Sequence, residues 1–221
     1  TLVRTGTDVR HLNCVHHVCR ATEIATLLSQ VHAIRQAWQD GHEYVLVAED
    51  DVDFSLYDES ALKKIITALP ADWGSLQLYT GNSELLEWMF TNLPPHGAIS
   101  KFGEAASWSH ACVLYSRRGM KKVLDAFGFK GLYTLGSELL PKGMWMEADN
   151  AIPRVIGQHA YLSARPLVNV KMSRSRIDDI DSKPMMADLT ITKYATSLLG
   201  AGVRMQYGSE AEIARTTSHL R

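Results

Sequence analysis

The sequence predicts an α/β fold: one domain whose central sheet, mostly parallel, is flanked by helices. Two observations predict it. Strand-like and helix-like segments alternate along the chain, the pattern that a helix-covered sheet requires. The 221 residues are 46% hydrophobic and 21% charged, enough apolar material for one substantial core.

The elements follow in order. Residues 22–39, TEIATLLSQVHAIRQAWQ, place Ile24, Leu27, Leu28, Val31, Ile34 and Trp38 at helical spacing behind a Thr22 cap. The DGHE segment then turns the chain into a strand over Tyr44–Ala48. A second helix, from Glu59 to Leu69, stops before Pro70, because a residue that precedes proline is driven out of helical geometry. WGSLQLYTG (73–81) reads as a strand closed by a glycine turn, and Asn92–Gly103 as a loop. SWSHACVLYS (107–116) reads as a third strand, and RRGMKKVLDAF (117–127) as a helix with a basic wet face. MWMEADNAIPRVI mixes helix signals with a turn at Pro153, and AYLSARPLV holds a late strand. Residues 1–178 are read as the domain, and 179–221 as a tail packing on it.

A formal net charge of −1 gives no electrostatic reason to expect nucleic acid as a partner. No apolar run reaches the roughly 18 residues of a membrane span, so no transmembrane segment is expected. No signal peptide is visible. Three cysteines, an odd number, argue against a disulfide framework and favour a reducing, cytoplasmic setting.

The segment YVLVAEDDVDF (44–54) carries the chemistry. An apolar strand stops in Glu49, Asp50 and Asp51, with Asp53 following. Carboxylates this close raise one another's pKa unless something positive sits among them. The bland reading is a solvated, Asp-rich turn. The sharper one is a divalent metal site, because Mg²⁺ and Mn²⁺ are commonly held by one or two carboxylates, water and substrate phosphates. Asp51, with Glu49 and Asp50, is the candidate ligand set, and a metal there would carry a diphosphate. The chain contains neither a P-loop nor a G-x-G-x-x-G fingerprint, so a nucleotide or nucleotide sugar held through metal is the expectation. Ligands of open α/β sheets bind outside the strand carboxyl ends, where this cluster falls.

HEYVLVAEDDVDF resembles the strand-plus-acidic motif of family 25 glycosyltransferases, the lipooligosaccharide and collagen galactosyltransferase group. Further segments are similar to that family in the same order: LVRTGTDVRHLN, LLSQVHAIRQAWQDG, DWGSLQLYTGN, ACVLYSRRGMKKVLD and RPLVNVKMSRSRID. Gln30 stands where the family's helix carries histidine, and Ala48 where its acidic motif carries leucine. The resemblance implies a GT-A-like fold, Mn²⁺ or Mg²⁺, and inversion at the anomeric carbon. It implies transfer of a hexose, galactose or glucose, from a UDP-sugar to a glycan hydroxyl. In that fold the first strand-to-loop junction approaches the nucleotide, so Leu2, Val3, Arg4 and Thr5, with Glu49 and Asp50, are the expected donor contacts.

Inversion requires a carboxylate that takes the acceptor's proton without binding the metal. MWMEADNAIP offers Asp149, with Glu147 in reserve, amid apolar neighbours that raise a carboxylate's pKa. The alternative for Asp149 is a helix cap. A metal-dependent phosphohydrolase and a non-catalytic carbohydrate-binding domain are the competing functions. Among lesser candidates, CVHHVC (14–19) reads as helix packing rather than zinc, His110 as a core histidine, and Arg117 and Arg118 as helix-surface cations within reach of a phosphate. His159 is weighed as a late metal ligand.

Overall fold

The computed structural model describes residues 21–93, 99–101, 109–129, 133–135 and 148–170. The chain runs through helix α1 (Ala21–Gln39), strand β1 (Tyr44–Ala48), strand β2 (Val52–Asp53) and a 3-10 turn (Phe54–Leu56). Helix α2 (Glu59–Ala68), strand β3 (Ser75–Gln77), helix α3 (Ser83–Asn92) and strand β4 (Ile99–Lys101) follow. Then come β5 (Cys112–Ser116), α4 (Arg117–Ala126), β6 (Phe127–Phe129), β7 (Tyr133–Leu135) and α5 (Ala148–Ile156). A 3-10 turn (Gly157–His159), β8 (Ala160–Ser163) and β9 (Asn169–Val170) complete the described elements.

Local chemistry starts three of the helices. The Asp58 carboxylate accepts from the amides of Ser60 and Ala61, opening α2, and the Asn82 side chain accepts from Leu85 N at 3.0 Å, opening α3. Ser116 does two jobs at the start of α4: its Oγ accepts from Gly119 N and donates to Trp73 O at 2.6 Å. The helix is thereby fixed to the segment entering β3.

The central sheet has the order β1-β5-β3-β8-β4. It is a mixed sheet, which corrects the mostly parallel arrangement expected from the strand–helix alternation. β5 lies between β1 and β3 and runs antiparallel to both; β4 runs antiparallel to β8; only β3 and β8 pair in parallel. Helical crossovers do give β1, β3 and β8 a common direction. They do not decide which strand lies beside which, and β5 inserts between β1 and β3 from the opposite sense.

Side chains alternate across the sheet and feed two cores. Val113 and Tyr115 of β5 face a cluster built on α1, α4 and α5, with Leu27, Val31, Ile34, Met120, Val123 and Ile152. Cys112 and Leu114 face the other cluster, where α2 and α3 supply Leu62, Ile65, Leu86 and Met89. The sheet is therefore covered by helices on both faces. α3 and β4 lie where the sequence suggested no element and a loop, respectively. The turn expected at Pro153 is absent too: α5 continues through that residue, with Ile152, Pro153 and Ile156 buried. Proline removes the amide that would bond the carbonyl four residues earlier, but the packing of this face keeps the helix intact.

Helix α4 approaches the sheet closely at one point. A Cβ on Gly119 would fall on the carbonyl oxygen of Gly74, far inside van der Waals contact. Gly119→Ala is expected to cost about 1–3 kcal/mol through overpacking. That corresponds to a fall in Tm of roughly 2–12 °C for a chain of this size. A calorimetric Tm unchanged by the substitution would show that α4 and β3 do not meet as described.

Candidate functional site

The carboxylate run sits at the edge where β1, β3 and β8 all end. β1 pairs with β5 as far as Ala48↔Cys112, and Glu49 N adds one more bond to Ala111 O at 2.8 Å. The chain then reverses: Val52 N bonds Glu49 O at 3.3 Å, closing a four-residue turn. Val52 is buried and pairs with Val170, while Asp53 pairs with Asn169 and its side chain accepts from Ser55 N at 2.9 Å. Both ends of the acidic turn are thus held. Glu49 and Asp51 come out half-buried and Asp50 exposed.

Because β5 runs antiparallel to its neighbours, its entrance, Ser109–Ala111, reaches the same edge. So does the start of α5, which carries Asp149. Asp149 Oδ2 accepts from Ser109 N at 2.7 Å. Ser109 holds φ at 82°, the one positive φ of a non-glycine residue among the described residues, a conformation that costs energy outside glycine. Burial raises the Asp149 pKa, and the backbone amides of Ser109, Asp149 and His110 oppose that rise.

Glu49 faces this second acid. Burial, then the charges of Asp149, Asp51 and Asp50, push its pKa up to about 7, opposed by a hydrogen bond from Gln30. Gln30 is itself buried; its Nε2 lies 3.5 Å from Glu49 Oε1 and 3.4 Å from His110 O. Beneath them His110 Nε2 lies 2.5 Å from the Tyr115 hydroxyl. Burial lowers the His110 pKa to about 3 and, with the Asp149 charge, raises that of Tyr115. This pair is neutral at physiological pH, whereas Glu49 titrates there.

The arrangement brings together Glu49, Asp51 and Asp149 but not every expected site residue. Leu2, Val3, Arg4, Thr5, Glu147 and the CVHHVC segment lie outside the described residues. His159 is at the opposite edge, where its Nδ1 lies 3.0 Å from Asp72 Oδ2. Ala160, the next residue, pairs with Ser75 at the start of β3, so His159 is no ligand for a metal at Asp51. Arg117 is at that edge as well. Its guanidinium donates to His42 O and Trp38 O and stacks on the Trp38 ring at 3.9 Å, well away from the carboxylates. Ser109 and Tyr115 join the site without having been singled out in the sequence, and so does Gln30, which was noted only as a departure from the family's histidine. Gln30 had left a signal: it falls three residues after Leu27 and four before Ile34, a polar side chain on the apolar stripe of α1.

The oxygen donors of Glu49 and Asp51 suit a hard divalent cation, and crowded acids are the condition a cation relieves. Among the described residues no three His, Cys, Asp or Glu side chains converge as a metal site. In comparisons with known proteins, the chain matches no family model, no curated protein and no solved structure.

The raised pKa of Glu49 has a sign that can be measured. Between the ordinary value of 4.5 and about 7, the folded chain holds a proton that the unfolded chain has released. Glu49's contribution to stability is therefore complete below about pH 4.5 and is lost as pH rises through 7. Glu49→Gln removes that loss. In EDTA, its Tm is expected to exceed the parent's by about 2–4 °C at pH 8. That figure takes roughly 1 kcal/mol for a half-exposed group, and the gap should close at pH 4. A gap that does not change with pH would remove the electrostatic account of this edge.

Proposed function

We propose that the chain is a metal-dependent glycosyltransferase that moves a hexose, galactose or glucose, from a UDP-sugar to a glycan hydroxyl with inversion, on a GT-A-like variant of the mixed α/β sandwich. The observation that carries the reading is the convergence of Glu49 and Asp51, from the end of β1, with Asp149, from the start of α5. These acids lie about a hundred residues apart in sequence and share one sheet edge, the edge where an α/β sheet holds its ligand.

Asp51, with Asp50 and Glu49, would hold Mn²⁺ or Mg²⁺, which supplies Lewis acidity to a departing diphosphate when bound. Asp149 takes the proton of the acceptor hydroxyl at its carboxylate. Its burial raises its pKa, and the Ser109 amide fixes its orientation through Oδ2. Gln30 steadies Glu49 from the helix side. The neutral His110–Tyr115 pair adds no charge beneath the acids and fills the floor of the site.

The test uses the full chain with Mn²⁺, UDP-galactose or UDP-glucose, and a panel of glycan acceptors, with product glycoside as the readout. Asp51→Asn should abolish metal-dependent donor binding while leaving the fold intact. Asp149→Asn keeps an oxygen to accept from Ser109 N but loses its basicity. Turnover should fall by about 10²- to 10⁴-fold with donor affinity little changed. If Asp149→Asn turns over within a few-fold of the parent, Asp149 is a tether for the 109–110 loop and not the base. Nucleotide-sugar cleavage without glycoside formation would favour a phosphohydrolase.

A further inference from the structure

Four large apolar side chains are exposed among the described residues, and two of them, Phe54 and Tyr57, lie in one short turn directly after the acidic run. Their rings meet edge to face, with centroids 6.1 Å apart and planes at 74°. The turn that carries them is held at both ends. Asp53 caps its start through Ser55 N, Tyr57 N bonds Phe54 O at 2.9 Å, and Asp58 then caps α2. Two aromatic rings kept 45% and 39% exposed on a rigid turn give up burial that this chain uses elsewhere. An apolar patch rimmed by polar residues is one form that a ligand-binding surface takes.

We propose that Phe54 and Tyr57 form a stacking platform for a neutral pyranose ring of the acceptor, beside the carboxylate turn. The inference rests on the glycosyltransferase reading and names where its acceptor sits. Chain length alone places the Phe54 Cα within about 11 Å of the Asp51 Cα, close enough for one sugar to bridge them. The C–H groups on the apolar face of a pyranose meet the negative face of an aromatic ring. Hydroxyls at the rim of the same sugar find acceptors in the neighbouring carboxylates.

Other occupants fit less well. Two half-exposed rings offer a few hundred Å² at most, whereas a stable protein interface needs about 800 Å² from each partner. Asp50, Asp53, Asp58 and Glu59 surround the turn and would repel an anionic membrane or the phosphates of a nucleotide stacked through its base.

The test separates this inference from the function it rests on. Binding of methyl β-galactoside, methyl β-glucoside and lactose to the full chain is followed by saturation-transfer NMR, without donor. Saturation of the sugar's C–H protons is expected. Phe54→Ala and Tyr57→Ala should each weaken binding by about 3- to 10-fold, with Tyr57→Phe close to the parent. UDP affinity in Mn²⁺ should not change. Absence of sugar binding by the parent, or equal affinity in the Phe54→Ala/Tyr57→Ala double variant, overturns the platform. So does loss of UDP affinity in Phe54→Ala, which would make the platform a nucleobase site. Transfer that proceeds with an unchanged acceptor KM in both variants sinks the platform alone. Sugar binding without transfer from any nucleotide sugar sinks the transferase reading alone.

Discussion

β5 is hydrogen-bonded on both sides, to β1 and to β3, and its direction decides what meets at the functional edge. Were it parallel to them, its carboxyl end and the start of α4 would lie beside Glu49. Running the other way, it delivers its entrance, Ser109–Ala111, to the ends of β1 and β3. The Ser109 and His110 amides are then available to Asp149, and the Ala111 carbonyl to the Glu49 amide. The strand also orders the layers. Tyr115 and Val113 point to the α1, α4 and α5 side, and Leu114 and Cys112 to the α2 and α3 side. Placement of α5, and with it of Asp149, depends on that face being filled.

The two acids at this edge are treated differently by their surroundings. Asp149 is desolvated, but backbone N–H groups compensate its charge in part. Glu49 is desolvated too, and each charged neighbour acting on it is acidic, with a single long hydrogen bond from Gln30 in opposition. Its charge is thus unfavourable in the folded chain at neutral pH. A proton or a cation removes the conflict, and either makes the group chemically useful. Tyr115 and His110 show the contrary solution. They are fully buried and bonded to each other, and burial keeps both neutral.

Much of the fold was legible because short-range rules governed it. α1, α2 and α4 follow apolar stripes, with a proline after α2, and the structure ends them within a residue or so of the expected positions, although Thr22 lies inside α1 rather than capping it. The strand over Tyr44–Ala48 and the acidic turn behind it were equally local. Sheet order was not, because no residue in β5 announces which neighbours it will take. α3 was missed although Asn82 caps it and Leu86 and Met89 lie three apart on its buried face; its short stripe lay between a strand and a loop and drew no attention. Asp149 was singled out as an acid amid apolar residues, and its burial agrees. Its bond to Ser109 spans forty residues and depends on a positive φ at a serine, which composition does not reveal.

The opposite edge of the sheet supplies a contrast that sharpens the reading. There Tyr44 stacks on Trp73 at 5.8 Å, Arg117 lies over Trp38 while bonding two carbonyls, and His159 faces Asp72. Cation meets ring or carbonyl, and imidazole meets carboxylate, so local electrostatics and packing agree. At the carboxylate edge they disagree: like charges crowd, and a serine holds a left-handed backbone. A sequence that satisfies local rules at one end of its sheet and breaks several at the other has concentrated its conflicts in one place. Such concentration is what a binding or reaction site requires, because only groups left unsatisfied by the fold remain available to a ligand.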